Sequence, residues 1–272
     1  MQWFAYVIWA GVALCLAAAV VSYVVARRGS SSERAESGDE EIPETVTAIA
    51  IDAQRWGQVR SISGGDNVSW PQQQEAQFFW ATELLGINGN WLQGADGAMY
   101  PCLSFHNDVT KAADFIAQRL EQGCDLQLFA VKPQGVELDE SVYEASVVLC
   151  FCQQVAYAGQ TLSRYFPVNV YWEWGYPPEQ MQCRQILYLA KSAGCSLIGI
   201  ETDLDGIYEL LEGITIPEVL HQGGVDCPQW PATDFALPAQ HVGGLTDCHL
   251  NEAQLLELIN TKGWTAAVPG NR

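Results

Sequence analysis

The chain is short of positive charge. Its 272 residues hold 13 Lys and Arg against 32 Asp and Glu, a formal net charge of −19. A surface so acidic repels phosphate backbones, which excludes nucleic acid as a partner and favours a basic peptide, a basic protein patch or a cation. The phosphate-cradling loops are missing as well: neither GxxxxGK[ST] nor GxGxxG occurs, so no nucleotide cofactor is implied. His106 and Asp108 lie close together in "FHND", yet no GxSxG elbow supplies a nucleophile for acyl transfer. No CxxC occurs, and His221, His241 and His249 stand at no zinc-finger spacing from Cys227 and Cys248, which leaves a structural metal and any other cofactor without support.

Charge of either sign is absent from residues 3–26, a run of 24 residues. That is at least the length of roughly 20 residues a helix needs to span hydrocarbon. Trp3, Phe4, Tyr6 and Trp9 load one end with interfacial aromatics, and Tyr23 sits near the other. A cleaved signal peptide would need a basic start and a small-residue cleavage site after a shorter apolar core; here only the terminal amine precedes the run. Residues 1–28 are therefore expected to be an uncleaved transmembrane anchor. Arg27, Arg28 and Arg34 follow the span and none precedes it, so the N-terminus should face outward and the rest should be cytoplasmic, at the inner (plasma) membrane. In that reducing compartment the nine cysteines, among them Cys150 and Cys152 in "VVLCFC", are expected to be small buried thiols.

Residues 29–44, "GSSSERAESGDEEIPE", are small, polar and acidic and form a short tether. An α+β domain is expected over 45–212. "TVTAIAIDAQ" (45–54), "MYPCLSFHND" (99–108), "CDLQLFAVKPQG" (124–135), "FPVNVYWEWG" (166–175) and "CSLIGIETD" (195–203) have strand patterns. "QQQEAQFFWATELLGI", "VTKAADFIAQRLEQG" and "PPEQMQCRQILYLAKSAG" have helix patterns, the last two closed by Gly123 and Gly194. The stretch 145–166 fits either a buried strand running into a helix or one long helix. Gly123/Cys124/Leu126 and Gly194/Cys195/Leu197 repeat at an offset of 71, which suggests two β-α-β halves in one sheet. The expected architecture is a split β-α-β sandwich, with helices on one face of a mostly antiparallel sheet; a doubly wound parallel sheet is the alternative. Residues 213–272 are expected to be an irregular extension ending in a helix, "NEAQLLELINTKG".

Four constellations could carry function. "ETDLDGIYELLE" puts Glu201, Asp203, Asp205 and Glu212 at positions 1, 3, 5 and 12 around Gly206, the calcium-loop spacing apart from Glu at position 1; a solvated strand-to-helix turn with acids at a helix N-terminus is the favoured account. Asp52, Glu173, Glu201 and Asp203 fall at expected strand ends, where a hydrolase would keep its carboxylates. "FHND" is the third. The fourth is aromatic: Trp172, Trp174, Tyr171 and Phe129 could line an open sheet face that receives a partner helix or peptide.

Two stretches, "LQLFAVKPQGVELDE" (126–140) and "EQMQCRQILYLAKSAGCSLIGIETD" (179–203), resemble the ZipA-type division anchors of Gram-negative bacteria, as does the order of anchor, acidic tether and α+β domain. That resemblance implies a split β-α-β fold whose open sheet face holds a peptide of the tubulin-like division protein without catalysis. The long Pro/Gln-rich linker of that family is missing, and 213–272 has no counterpart. The expected function is a single-pass, membrane-anchored protein-binding adaptor in cell division; the alternatives are a tethered hydrolase and a Ca²⁺-binding module.

Overall fold

The computed structural model describes residues 49–63, 70–123, 125–142, 144–221, 227–236 and 250–267. The expected anchor (1–28) and tether (29–44) lie outside them. Among the described residues no helix is long and apolar enough to cross a membrane.

Helices begin where short polar side chains can cap them. Asp52 accepts the Arg55 N–H at 2.9 Å and opens α1 (Ala53–Ile62). The described part of the expected strand 45–54 is thus an irregular lead-in followed by a helix, because Asp52 satisfies a donor that only a helix N-terminus leaves open. α2 (Gln74–Phe79) continues into a π-helical turn, Trp80–Leu84, and α3 (Gly89–Leu92) follows. The strand expected over 99–108 does not form; Leu103 makes a single bridge to Val168. Pro101 has no N–H to give to a ladder, and Asn107 turns the chain at φ 57°. Asp108 then accepts the Lys111 N–H at 3.2 Å and starts α4 (Val109–Glu121), so the acid of "FHND" is a helix cap.

β1 (Leu126–Pro133) and β2 (Ser146–Tyr157) form the centre of the sheet, and β3 (Gln160–Pro167) returns alongside β2. Tyr157 pairs with Gln160, leaving a two-residue turn in which Ala158 (φ 49°) and Gly159 (φ 81°) are both left-handed. This is the primed turn that suits strand twist, and it makes 145–166 a hairpin. β4 is only Trp172–Glu173. The rest of the strand expected over 166–175 is lost because the Val170 N–H folds back onto the Val168 carbonyl at 2.8 Å. There follow α5 (Pro177–Ser192), β5 (Ser196–Thr202), α6 (Leu204–Leu211), α7 (Glu218–His221), β6 (Gln229–Trp230), a 3-10 turn at Ala232–Phe235 and α8 (Glu252–Thr261).

The sheet runs β3-β2-β1-β5-β6 with β4 beside β2. Only β1 and β5 are parallel; every other pair is antiparallel. The protein is α+β with a mostly antiparallel mixed sheet. The two matching helix–Gly–strand units do lie side by side: Leu128 pairs with Leu197, and Gly123 and Gly194 are both left-handed. No strand separates β1 from β5, so the split β-α-β arrangement is not made, and a single parallel pair is not a doubly wound sheet. Part of the expected extension, β6, pairs with Gly199 and Ile200 of β5.

Helices cover both faces of the sheet. Leu126, Leu128 and Ala130 of β1, with Val147, Leu149 and Phe151 of β2, pack on α4, α5 and α8. Phe129, Val131, Val148, Cys150 and Cys152 point the other way, onto α1, α2, α3 and α6. The expectation of one open face fails here. The uninterrupted apolar runs "LQLFAV" and "SVVLCFC" are what a strand buried on both sides requires.

α5 is enclosed on nearly every side and carries buried amides. The Trp172 indole N–H donates to Gln182 Oε1 at 3.0 Å, and Gln182 Nε2 donates to the Phe105 carbonyl at 2.9 Å. Gln185 bonds both backbone groups of Leu250. These glutamines satisfy irregular segments that have no ladder of their own.

Candidate functional site

The residues singled out for a partner-binding face are inside the protein. Trp172 is 0% exposed, and Trp174 and Phe129 are 1% exposed. Tyr171 is half-buried and packs against the core beneath β1. Exposing the first three would cost roughly 5–9 kcal/mol at about 1.5–3 kcal/mol for each side chain, comparable with the whole stability of a domain. Their burial makes Trp172, Trp174 and Phe129 part of the core rather than of an open face.

The four strand-end acids are spread through the structure. Asp52 caps α1, and Asp203 caps α6 by accepting the Gly206 N–H at 2.8 Å. Glu173 is exposed on β4, where its own N–H donates to Glu179 Oε2 at 2.9 Å. Glu201 pairs with Lys132 at 2.7 Å and accepts the Gly135 N–H at 2.9 Å. Burial works against the Glu201 charge, but the Gly135 N–H and the Lys132 ammonium outweigh it and hold the carboxyl below its ordinary range. The calcium-loop spacing resolves in the same way: residues 204–211 are helical, Glu212 is the C-cap of α6 and Asp205 is exposed in its first turn. Among the described residues no three His, Cys, Asp or Glu side chains are grouped to hold a metal ion.

An open cleft of about 570 Å³ lies between the loop after β1, the start of α5 and the 3-10 turn. Arg184 forms its inner wall. This arginine is 7% exposed, and its guanidinium lies 5.3 Å from the Trp174 ring and 5.7 Å from the Phe235 ring. Trp174 and Trp230 each meet Phe235 edge-on at 5.4 Å, which fixes the aromatic wall. Opposite stands the loop carrying Asp139, Glu140 and Ser141. Asp139 accepts both the Ser141 hydroxyl and its N–H, and these bonds hold its carboxyl below the ordinary carboxylate range. Gln180 joins the two walls, donating to the Trp174 carbonyl at 3.3 Å and to Glu140 Oε1 at 3.5 Å. Gly175 sits where they meet, and a Cβ there would press on the Glu140 carbonyl at 3.1 Å. Asp234 completes the rim.

The cleft offers three carboxylates, an aromatic wall and one enclosed guanidinium. Among the described residues its only hydroxyl, on Ser141, is committed to Asp139, and no histidine lines it. It is equipped to hold a polar or cationic side chain against aromatic rings. Of the residues proposed from sequence, only Trp174 borders it. The signal for the others was a charged residue inside an apolar helix: Arg184 stands between Cys183 and Gln185 in "MQCRQILYLA", where an unpaired charge is costly. Phe235 and Asp234 had no such signal, lying in a Pro/Gly-rich segment with no periodicity. Comparison with protein-family models, with curated protein sequences and with solved structures finds no match to this chain.

Proposed function

We propose that the folded part of this chain is a non-enzymatic protein-binding domain, held at the inner membrane by residues 3–26 with its bulk in the cytoplasm, and that it takes a short segment of a partner protein into the Arg184 cleft. The observation that carries this is the scatter of the strand-end acids set against the convergence of Asp139, Glu140, Asp234 and Arg184 on one aromatic wall. The first gives no support to a hydrolase built on those four strand-end carboxylates. The second gives a concave site of a size suited to one or two side chains. The three acids favour a segment bearing Lys or Arg, in keeping with the overall charge of −19. The resemblance to ZipA-type anchors points to cell division as the setting, with the cleft in place of an open sheet face.

The test is a photo-crosslinking amino acid at Ser141 of the full anchored chain, expressed in cells. A discrete adduct with a second protein is expected, and Glu140→Lys together with Asp234→Lys should remove it. An adduct unchanged by the charge reversal, or no protein adduct at all, would discard the cleft as the partner site.

A further inference from the structure

Three of the five exposed large apolar side chains among the described residues fall within 204–214: Leu204 at 52%, Tyr208 at 60% and Ile214 at 53%. The first two belong to α6, whose inner face (Gly206, Ile207, Leu210) is buried against the core. The outer face carries two rows at the same helical spacing. Leu204 and Tyr208 stand at i and i+4, with Leu211 at i+7 turned partly into the core, and Asp205, Glu209 and Glu212 follow the same spacing one residue along. Ile214 extends the apolar row past the helix end. No Lys or Arg occurs from 203 to 214.

The face is held rigid at both ends. Asp203 caps the N-terminus at 2.8 Å, and the C-terminus closes with the Ile214 N–H on the Glu209 carbonyl at 2.9 Å and the Gly213 N–H on the Leu210 carbonyl at 3.2 Å. Gly213 is left-handed at φ +66°, and a Cβ there would lie 2.4 Å from the Tyr100 carbonyl, so the end of α6 is seated on the chain beneath it. A rigid apolar row that remains in water gains free energy when covered and loses little order in the process.

We infer that this face of α6 docks an amphipathic basic helix of a partner protein, whose apolar row covers Leu204, Tyr208 and Ile214 while its Lys or Arg row faces Asp205, Glu209 and Glu212. Charge selects this occupant. Anionic headgroups are repelled by the acidic row, and a second copy of the chain brings its own net charge of −19. The surface shares no residue with the Arg184 cleft and stands or falls separately from it.

The full chain in phosphatidylcholine nanodiscs is titrated into a fluorescent helical peptide built only of Leu and Lys, and anisotropy is read. Saturable, salt-sensitive binding is expected. Leu204→Ala with Tyr208→Ala, both exposed positions, should weaken it roughly tenfold or more, as should Glu209→Lys with Glu212→Lys. Glu257→Lys on α8, outside both the cleft and α6, should leave it unchanged, and binding lost with Asp234→Lys but kept in the α6 variants would overturn the proposal. Wild-type affinity in the Leu204/Tyr208 variant, the absence of saturable binding, attachment of this face to the lipid itself, or a dimer that Tyr208→Ala dissolves would each overturn the proposal.

Discussion

Lys132 and Glu201 face each other across the parallel strands β1 and β5, their side chains 8% and 16% exposed. The ammonium also donates to the Val136 carbonyl, so it holds the loop that carries Asp139 and Glu140. Glu201→Gln keeps the shape and strands a buried positive charge, and should cost on the order of 3 kcal/mol in urea unfolding. Lys132→Met with Glu201→Leu should recover most of that loss, because the uncompensated charge is gone. The pH dependence has a definite sign. The folded Glu201 carboxyl titrates below its unfolded value, so its contribution is complete above about pH 4.3 and disappears as the pH falls through the lower, folded value. Wild type should lose stability in that window faster than Glu201→Gln does. Asp203 is the second case at this scale: Asp203→Ala removes the cap of α6 and should cost about 1 kcal/mol. Calcium should leave the melting temperature of both proteins unchanged; a calcium-dependent rise that Asp203→Ala abolishes would restore the calcium loop.

Among the elements, the β2–β3 hairpin depends on a turn whose first residue is poorly suited to it. Ala158 sits at φ 49°, a conformation that costs a residue with a Cβ roughly 1–2 kcal/mol. Ala158→Asn, which gives Asn-Gly at this turn, should raise stability by about 0.5–1 kcal/mol, and Gly159→Ala should lower it; paired thermal melts would show both. The same residue explains why the hairpin was not legible. "AYAGQT" lacks the Asn or Asp before glycine that marks a two-residue turn, so the apolar run ahead of it passed as the start of a helix. Helices were readable because their ends carry local chemistry: Gly123 and Gly194 as left-handed stops, Pro177 at a first turn, and Asn251 with Gln254 as a reciprocal cap. Strand pairing is set by distant partners, which is why 99–108 could show a strand pattern and form only the single bridge of Leu103 to Val168. β6 is the extreme example, two residues held where Gly199 lets the Trp230 carbonyl approach within 2.1 Å of a would-be Cβ.

For the whole molecule, the consequence of covering both sheet faces is that the thiols are locked in. The six described cysteines form no disulfide: Cys150, Cys152, Cys183 and Cys195 are buried, and Cys102 and Cys227 are half-buried. Burial pushes the Cys102 thiol up to about 11 and those of Cys152 and Cys195 to about 12, and it raises Cys150 and Cys183 as well. Only thiolates react, so at pH 8 Cys102 and, still more, Cys152 are held almost wholly as unreactive thiols even when reached. Alkylation of the native protein followed by peptide mass spectrometry should therefore label Cys102 slowly and Cys152 more slowly still. Cys150 and Cys183, on opposite sides of the sheet, should react only through opening of the core, at rates that rise together as urea lowers stability. If Cys150 reacted alone and rapidly, the layer formed by α1, α2 and α6 would be opening independently of the one formed by α4, α5 and α8. The two faces would then be separate cooperative units joined only through the sheet.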